Sequence, residues 1–199
     1  MVRREAVGLI APYAAWMALM SVLPSTAAMY AVRTAVVALL LAAVLRWRRK
    51  DVGVSCRVLS APLAWGVAVG LLVFVLWVLP EQFDWPWYRA WCIVGEGGTR
   101  AVAESGAALI ALRLVGSAFV IPVAEELFFR KWLIGFAGFG WMVSLFAVEH
   151  DRWLVGALAG AIYGWLYLRR GLGAAIVAHA TTNLVLGLWV LRTGQWQFW

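Results

Sequence analysis

Only two histidines occur in this 199-residue chain, His150 and His179, and both fall in its C-terminal half. His179 opens the segment HATTN, which puts Asn183 one helical turn further on. His150 closes FAVEH, with Phe146 one turn before it and Glu149 beside it. A third polar segment, VAEELFFRKW, carries Glu125, Glu126 and Arg130. A carboxylate, two imidazoles and an amide can hydrolyse an acyl bond in two ways. In one, Glu125 and His150 act as general base on a water, and His179 and Asn183 donate hydrogen bonds to the oxyanion of the tetrahedral intermediate. In the other, Glu125, His150 and His179 ligate a divalent metal such as zinc, which lowers the pKa of the bound water. No HExxH is present, and the candidate ligands are dispersed, so spacing leaves metal occupancy open. Ser144 has no partner in the pattern, and neither Cys56 nor Cys92 belongs to a CxxC.

These groups can work together only if the chain brings them together. It is 64% hydrophobic and 14% charged, with a mean hydropathy of +0.84. A soluble domain carries about a quarter charged residues. Apolar runs of about 20 residues recur along the length, so the expected fold class is all-α, a polytopic transmembrane helical bundle. Continuous rather than alternating apolar runs argue against a β-barrel. The formal net charge of +7 fits topology better than nucleic acid, because Arg46, Arg48, Arg49, Lys50 and Arg57 crowd one loop and Arg169 and Arg170 another. The 80–100 stretch holds Glu81, Asp84 and Glu96 against Arg89 and Arg100, together with Trp85, Trp87 and Trp91. It reads as an external, interfacially anchored loop, with the N-terminus cytoplasmic and the C-terminus external. Cys56 and Cys92 then lie in loops on opposite faces and cannot pair.

About seven helices are expected: 6–23, 27–46, 62–79 ending at Pro80, 104–135 kinked at Pro122, a short one to His150, 152–168, and 172–191. They form a single membrane domain over residues 1–199, with N-terminal helices and the external loop in 1–103 and the polar core in 104–191. The turns near 136–140 and 169–173 lie on one side. Counting inward at about 1.5 Å per residue puts Glu125 and His150 about 15 Å deep and His179 about 12 Å deep, near the middle of a hydrocarbon core about 30 Å thick. Glu126 and Arg130 stand at i,i+4 in the favourable order for an ion pair. Glu126 is thus assigned a structural pairing and Glu125 is left for chemistry. Asp151 and Arg152 read as a solvated helix break, and Arg33 and Arg113 as arginines that snorkel or line a cavity.

The three segments resemble the boxes of the CAAX-protease and bacteriocin-processing (CPBP, or Abi) family of intramembrane proteases. EELFFR resembles EExxxR, FAVEH resembles FxxxH and HATTN resembles HxxxN, in that order. The resemblance implies endopeptidase chemistry on a membrane-associated protein or peptide. It implies water activation by Glu125 and His150 and oxyanion stabilisation by His179 and Asn183, with Glu126, Arg130, Phe146 and Glu149 in support. It favours a glutamate-type over a metal-dependent enzyme. The VEHDRW context resembles a bacterial subgroup associated with exosortase (PEP-CTERM) sorting. That implies a bacterial inner membrane, a link to protein sorting and a substrate other than a prenylated CAAX protein. Competing readings are a non-catalytic scaffold or immunity-type protein of the same fold, a bis-histidine haem protein and a small proton-coupled transporter.

Overall fold

The computed structural model describes residues 2–47, 61–94 and 106–198. The basic-loop residues Arg48, Arg49, Lys50 and Arg57, together with Cys56, Glu96, Arg100 and Trp199, lie outside them. The described chain is a helical bundle: α1 (Val2–Val22), α2 (Ala27–Trp47), α3 (Ala61–Gln82), α4 (Pro86–Cys92), α5 (Ala107–Ala137), α6 (Phe139–Val148), α7 (Trp153–Arg170) and α8 (Leu172–Thr193), closed by a 3-10 turn at Trp196–Phe198. Among the described residues the only β pairing is an isolated bridge between Ile93 and Arg152. Among the described residues four helices are long and apolar enough to cross a membrane: α2, α3, α5 and α8. The ten residues of α6 span about 15 Å, half a hydrocarbon core.

Two expectations need correction. Helix α3 does not end at Pro80 but continues through it to Gln82. The 80–100 stretch is not all loop, because α4 forms within it. Pro86 occupies the first turn of α4, where a missing N–H costs nothing. Helix α4 then buries Tyr88 and Cys92 against Val155 of α7.

Lipid tails are as apolar as leucine, so close van der Waals packing holds such a bundle together. Glycine supplies it here. GVAVG in α3 places Gly66 and Gly70 against α8, where an added Cβ on Gly70 would fall 2.5 Å from the Ala178 carbonyl oxygen and 2.6 Å from Thr181 Cβ. Gly66 meets Ala174 and Val177, so the two helices run parallel. GALAGAIYG in α7 does the same against α6: Gly156 meets His150, Gly160 meets Phe146, and Gly164 meets Met142 and Phe139. That seam is antiparallel and fixes the height of His150. Sharp reversals before α6 and α8 are made by Gly138 and Gly171, at φ of 91° and 84°, a region costly for residues with a Cβ.

The two ends of the bundle differ. Arg46, Arg169 and Arg170 are exposed at one end, where the Arg170 guanidinium lies 5.2 Å from the Trp65 ring. The other end carries Asp84 and Arg89 as an exposed ion pair, the exposed Trp85, Trp87 and Trp91, and a reciprocal amide pair between Gln82 and Gln195.

Candidate active site

Helix α5 delivers the glutamates, and it is not a regular helix. Two π-helical stretches interrupt it, Gly116–Val120 and Glu126–Leu133. Proline accounts for the first. The Ile121 N–H reaches back five residues to the Gly116 carbonyl, and Pro122 has no N–H to give the next carbonyl along, that of Ser117. Asn183 of α8 fills the vacancy, its Nδ2 donating to the Ser117 oxygen at 2.9 Å. The expected kink at Pro122 is thus a change of hydrogen-bond register that docks α8 onto α5. The second π stretch contains Glu126 and Arg130, and its end is marked by the Ile134 N–H bonding to the Phe129 carbonyl. Such π turns occur frequently at functional sites.

His179 sits between the two carboxylates. Its Nδ1 lies 2.9 Å from Glu126 Oε1 and its Nε2 lies 3.6 Å from Glu125 Oε2. A carboxylate accepts but does not donate, so Nδ1 carries the proton and Nε2 is turned to Glu125. Glu126 also meets Arg130 at 3.1 Å, both side chains being fully buried. The Arg130 guanidinium is ringed by aromatic faces: Phe146 at 4.2 Å, Tyr163 at 5.4 Å and Phe129 at 5.7 Å. Glu126 therefore serves two partners, Arg130 in its own helix and His179 in another.

His150 ends α6. Its Nδ1 is 2.7 Å from the Phe146 carbonyl oxygen. That oxygen can only accept, so the proton is on Nδ1 and Nε2 keeps a lone pair. The ring packs edge-on against Trp77 of α3 and tilted against Phe146. Along α7, His150 is level with Gly156, whereas His179 stacks on Tyr163, seven residues further down. The two imidazoles are thus stepped by up to about 10 Å along that helix rather than at one level, and the Phe146 ring bridges the step.

A cavity of about 390 Å³ opens along this step. His150, His179, Asn183, Tyr163 and Glu149 all line it, and so does Arg113. Glu125 and Glu126 do not line it; they stand behind His179. Glu125 Oε2 and Glu149 Oε2 are buried without a hydrogen-bond partner in the protein. Glu149 lies within hydrogen-bonding reach of Tyr13 from α1. Of the eight residues singled out by type and spacing, Glu125, Glu126, Arg130, Phe146 and His179 form one contiguous cluster. His150 joins it through Phe146, Asn183 through the cavity wall and the Ser117 carbonyl, and Glu149 as the cavity-facing neighbour of His150.

Several participants carry no signal of this kind. The Tyr163 hydroxyl donates to Thr182 Oγ1 at 2.6 Å, and Thr182 in turn donates to the Gly70 carbonyl of α3 at 2.8 Å. Thr182 lies inside HATTN, yet its type gave no reason to single it out. At the helix break at 149–152 Asp151 is exposed as expected, but Arg152 is buried and ion-paired with Glu81. Its guanidinium also lies 4.8 Å from the Phe198 ring. Arg33 does not line the cavity; it donates to the carbonyls of Leu23 and Pro24 at the end of α1. Arg113 packs on the Tyr30 ring at 4.7 Å.

Residues 107–185 match the family model described as type II CAAX prenyl endopeptidase Rce1-like. That span contains all three polar segments. No curated protein and no solved structure matches the chain.

Proposed function

We propose, on the match of residues 107–185 to the Rce1-like CAAX endopeptidase model, that the chain hydrolyses a peptide bond of a membrane-associated protein or peptide by water activation within the bundle. The observation that carries this reading is the Glu126–His179–Glu125 bracket at the wall of a cavity that His150 and Asn183 also line.

The scheme follows from the donors and acceptors. His150, with Nδ1–H held by the Phe146 carbonyl, offers Nε2 as a base in the cavity. Water attacks the scissile carbonyl carbon and gives one proton to His150 Nε2. Negative charge develops on the carbonyl oxygen. Asn183 meets it with the amide N–H not used on Ser117. Glu125, in its acid form behind His179, lends its own proton to His179 Nε2, making an imidazolium whose charge Glu126 offsets, as an acidic residue does for a catalytic histidine. The Nε2–H then donates to the oxyanion. Collapse breaks the C–N bond, the His150 imidazolium gives the proton taken from water to the amine, and the proton lent to His179 returns to Glu125.

A divalent ion would need Glu125, His150 and His179 to converge. Among the described residues no three His, Cys, Asp or Glu side chains are placed to hold a metal ion together. The residues as placed do not fit that group, and no step is routed through it.

The protein is an integral membrane protein. We assign the end bearing Arg46, Arg169 and Arg170 to the cytoplasm of a bacterial inner membrane, because cytoplasmic ends carry the excess of arginine and lysine. Comparative membrane proteomics of cells carrying the native protein and its Glu125→Gln variant tests the function. A precursor should accumulate in the variant, and the new terminus in native cells should mark the cut. Identical proteomes would overturn the reading.

A further inference from the structure

We propose that Tyr163 is the positioning residue for His179, tethered through Thr182 to the α3 backbone. Four observations converge on it. Tyr163 is buried to 1% exposure on α7, a helix that contributes no residue to the polar segments. Its ring stacks face to face on the His179 imidazole, with centroids 5.0 Å apart and planes 21° from parallel. Its hydroxyl begins a directional chain, Tyr163 O–H to Thr182 Oγ1, then Thr182 O–H to the Gly70 carbonyl. Gly70 packs directly against α8, where an added Cβ would fall 2.5 Å from the Ala178 carbonyl oxygen, so the chain ends on closely packed backbone.

The consequence is rotational. An imidazole held only by Glu126 at Nδ1 could still swing about that bond. A parallel ring on one face and Phe146 edge-on at 5.9 Å remove that freedom. With the plane fixed, Nδ1 stays on Glu126 and Nε2 stays on Glu125. Tyr163 also shares the Arg130 guanidinium with Phe146, so one side chain sets the places of both partners of Glu126. The catalytic meaning of this arrangement rests on the peptidase reading; the positioning of the ring does not.

The test uses the fact that the chain has two histidines. The full chain, labelled with ¹⁵N-histidine and held in detergent, gives two imidazole systems, and His150→Ala assigns them. His179 is expected as the Nδ1–H tautomer, with its ring protons shifted upfield by the Tyr163 ring current. Tyr163→Ala should abolish that shift and give mixed tautomers. Tyr163→Phe and Thr182→Val keep the ring but break the tether, so each should reduce the shift in part, and the double variant should match either single one. The assignment is overturned if the Tyr163→Ala spectrum shows His179 unchanged. Should Tyr163→Ala fail to fold, native-like His179 signals in both tether variants overturn it equally. Because the readout is spectroscopic, its failure is separate from any failure to find proteolysis.

Discussion

Glu126 and His179 are 53 residues apart in the chain and 2.9 Å apart in the fold. That contact joins α5 to α8 and makes one carboxylate the shared counter-charge of a guanidinium and an imidazole. Arg130 has no exposure at all, so whatever removes Glu126 leaves a cation in an apolar interior. Breaking a buried pair from one side costs about 3–5 kcal/mol, whereas replacing both partners with apolar groups of similar size is often neutral. Glu126→Gln should therefore lower unfolding stability in detergent by about that amount, and Glu126→Gln with Arg130→Met should recover most of it. A double variant no more stable than the single one would show that the pair is not the source.

The polar site was legible because ionisable groups are rare in apolar helices and conspicuous where they occur. Glu125, His150 and His179 stood out by type, and Glu126–Arg130 by spacing. What was not legible depended on contacts between distant segments. Tyr163 and Thr182 look like ordinary bundle residues, and Glu81 meets Arg152 across 71 positions. The glycine seams were there to be read, GVAVG in α3 and GALAGAIYG in α7, as small residues at four-residue spacing. Helix α4 was hidden because its proline, tryptophans and charges have the composition of a loop. Counting residues along ideal helices put His150 and His179 at nearly one level, because it could not see that α6 and α7 set His150 higher than His179.

Asn183 serves two purposes, and substitution should separate them. Its Nδ2 satisfies the Ser117 carbonyl, which Pro122 leaves without a helical donor. Asn183→Ala should cost about 1–3 kcal/mol in stability for the orphaned carbonyl. It should also lower turnover by about 10²–10³, the usual loss for one oxyanion donor. Asn183→Asp should be worse on both counts, since it puts a negative oxygen against a carbonyl. Unfolding and turnover measured on the same preparations check this; full activity in the alanine variant would remove Asn183 from the mechanism.

The glycine seam of α7 should be more sensitive in function than in stability. A Cβ on Gly160 would lie 3.0 Å from Phe146 Cδ1, a contact that a ring can relieve by shifting. Phe146 touches His150, His179 and Arg130, so its shift disturbs all three. Gly160→Ala should cost about 1 kcal/mol or less in unfolding while reducing cleavage by about a hundredfold. Gly70→Ala meets a carbonyl oxygen and Thr181 instead, and should destabilise by about 1–3 kcal/mol. Equal stability losses at the two glycines would contradict this reading of the seams.

The water-activation scheme predicts insensitivity to chelators. His150 Nδ1 is committed to the Phe146 carbonyl and His179 Nδ1 to Glu126, so each ring has one nitrogen left for chemistry. Treatment with EDTA or 1,10-phenanthroline should leave cleavage unchanged, while Glu125→Gln and His150→Ala should abolish it with helicity in detergent retained. Loss of activity on chelation, restored by added zinc, would replace the scheme with a metal-dependent one.

At the mouth of the cavity, Arg152 holds three things in place. It pairs with Glu81 at the end of α3, bridges through its backbone to Ile93 and packs its guanidinium on Phe198. Its neighbour Asp151 accepts a backbone hydrogen bond from the Val94 N–H at 2.6 Å. The segment after α4 is therefore stitched to the break between α6 and α7, one turn from His150. Glu81→Gln leaves the Arg152 charge buried without its counter-ion, and the cheapest relief is for that end of the bundle to open. Hydrogen exchange in residues 88–94 should speed up by about tenfold to a hundredfold, corresponding to about 1–3 kcal/mol of local opening. Exchange in the α3–α8 seam should stay as it was, since Gly66 and Gly70 lie far down α3 from Glu81. The reversed pair, Glu81→Arg with Arg152→Glu, should recover part of the protection. Faster exchange spread evenly over the whole bundle would instead mark this ion pair as a support of the global fold rather than a local clasp.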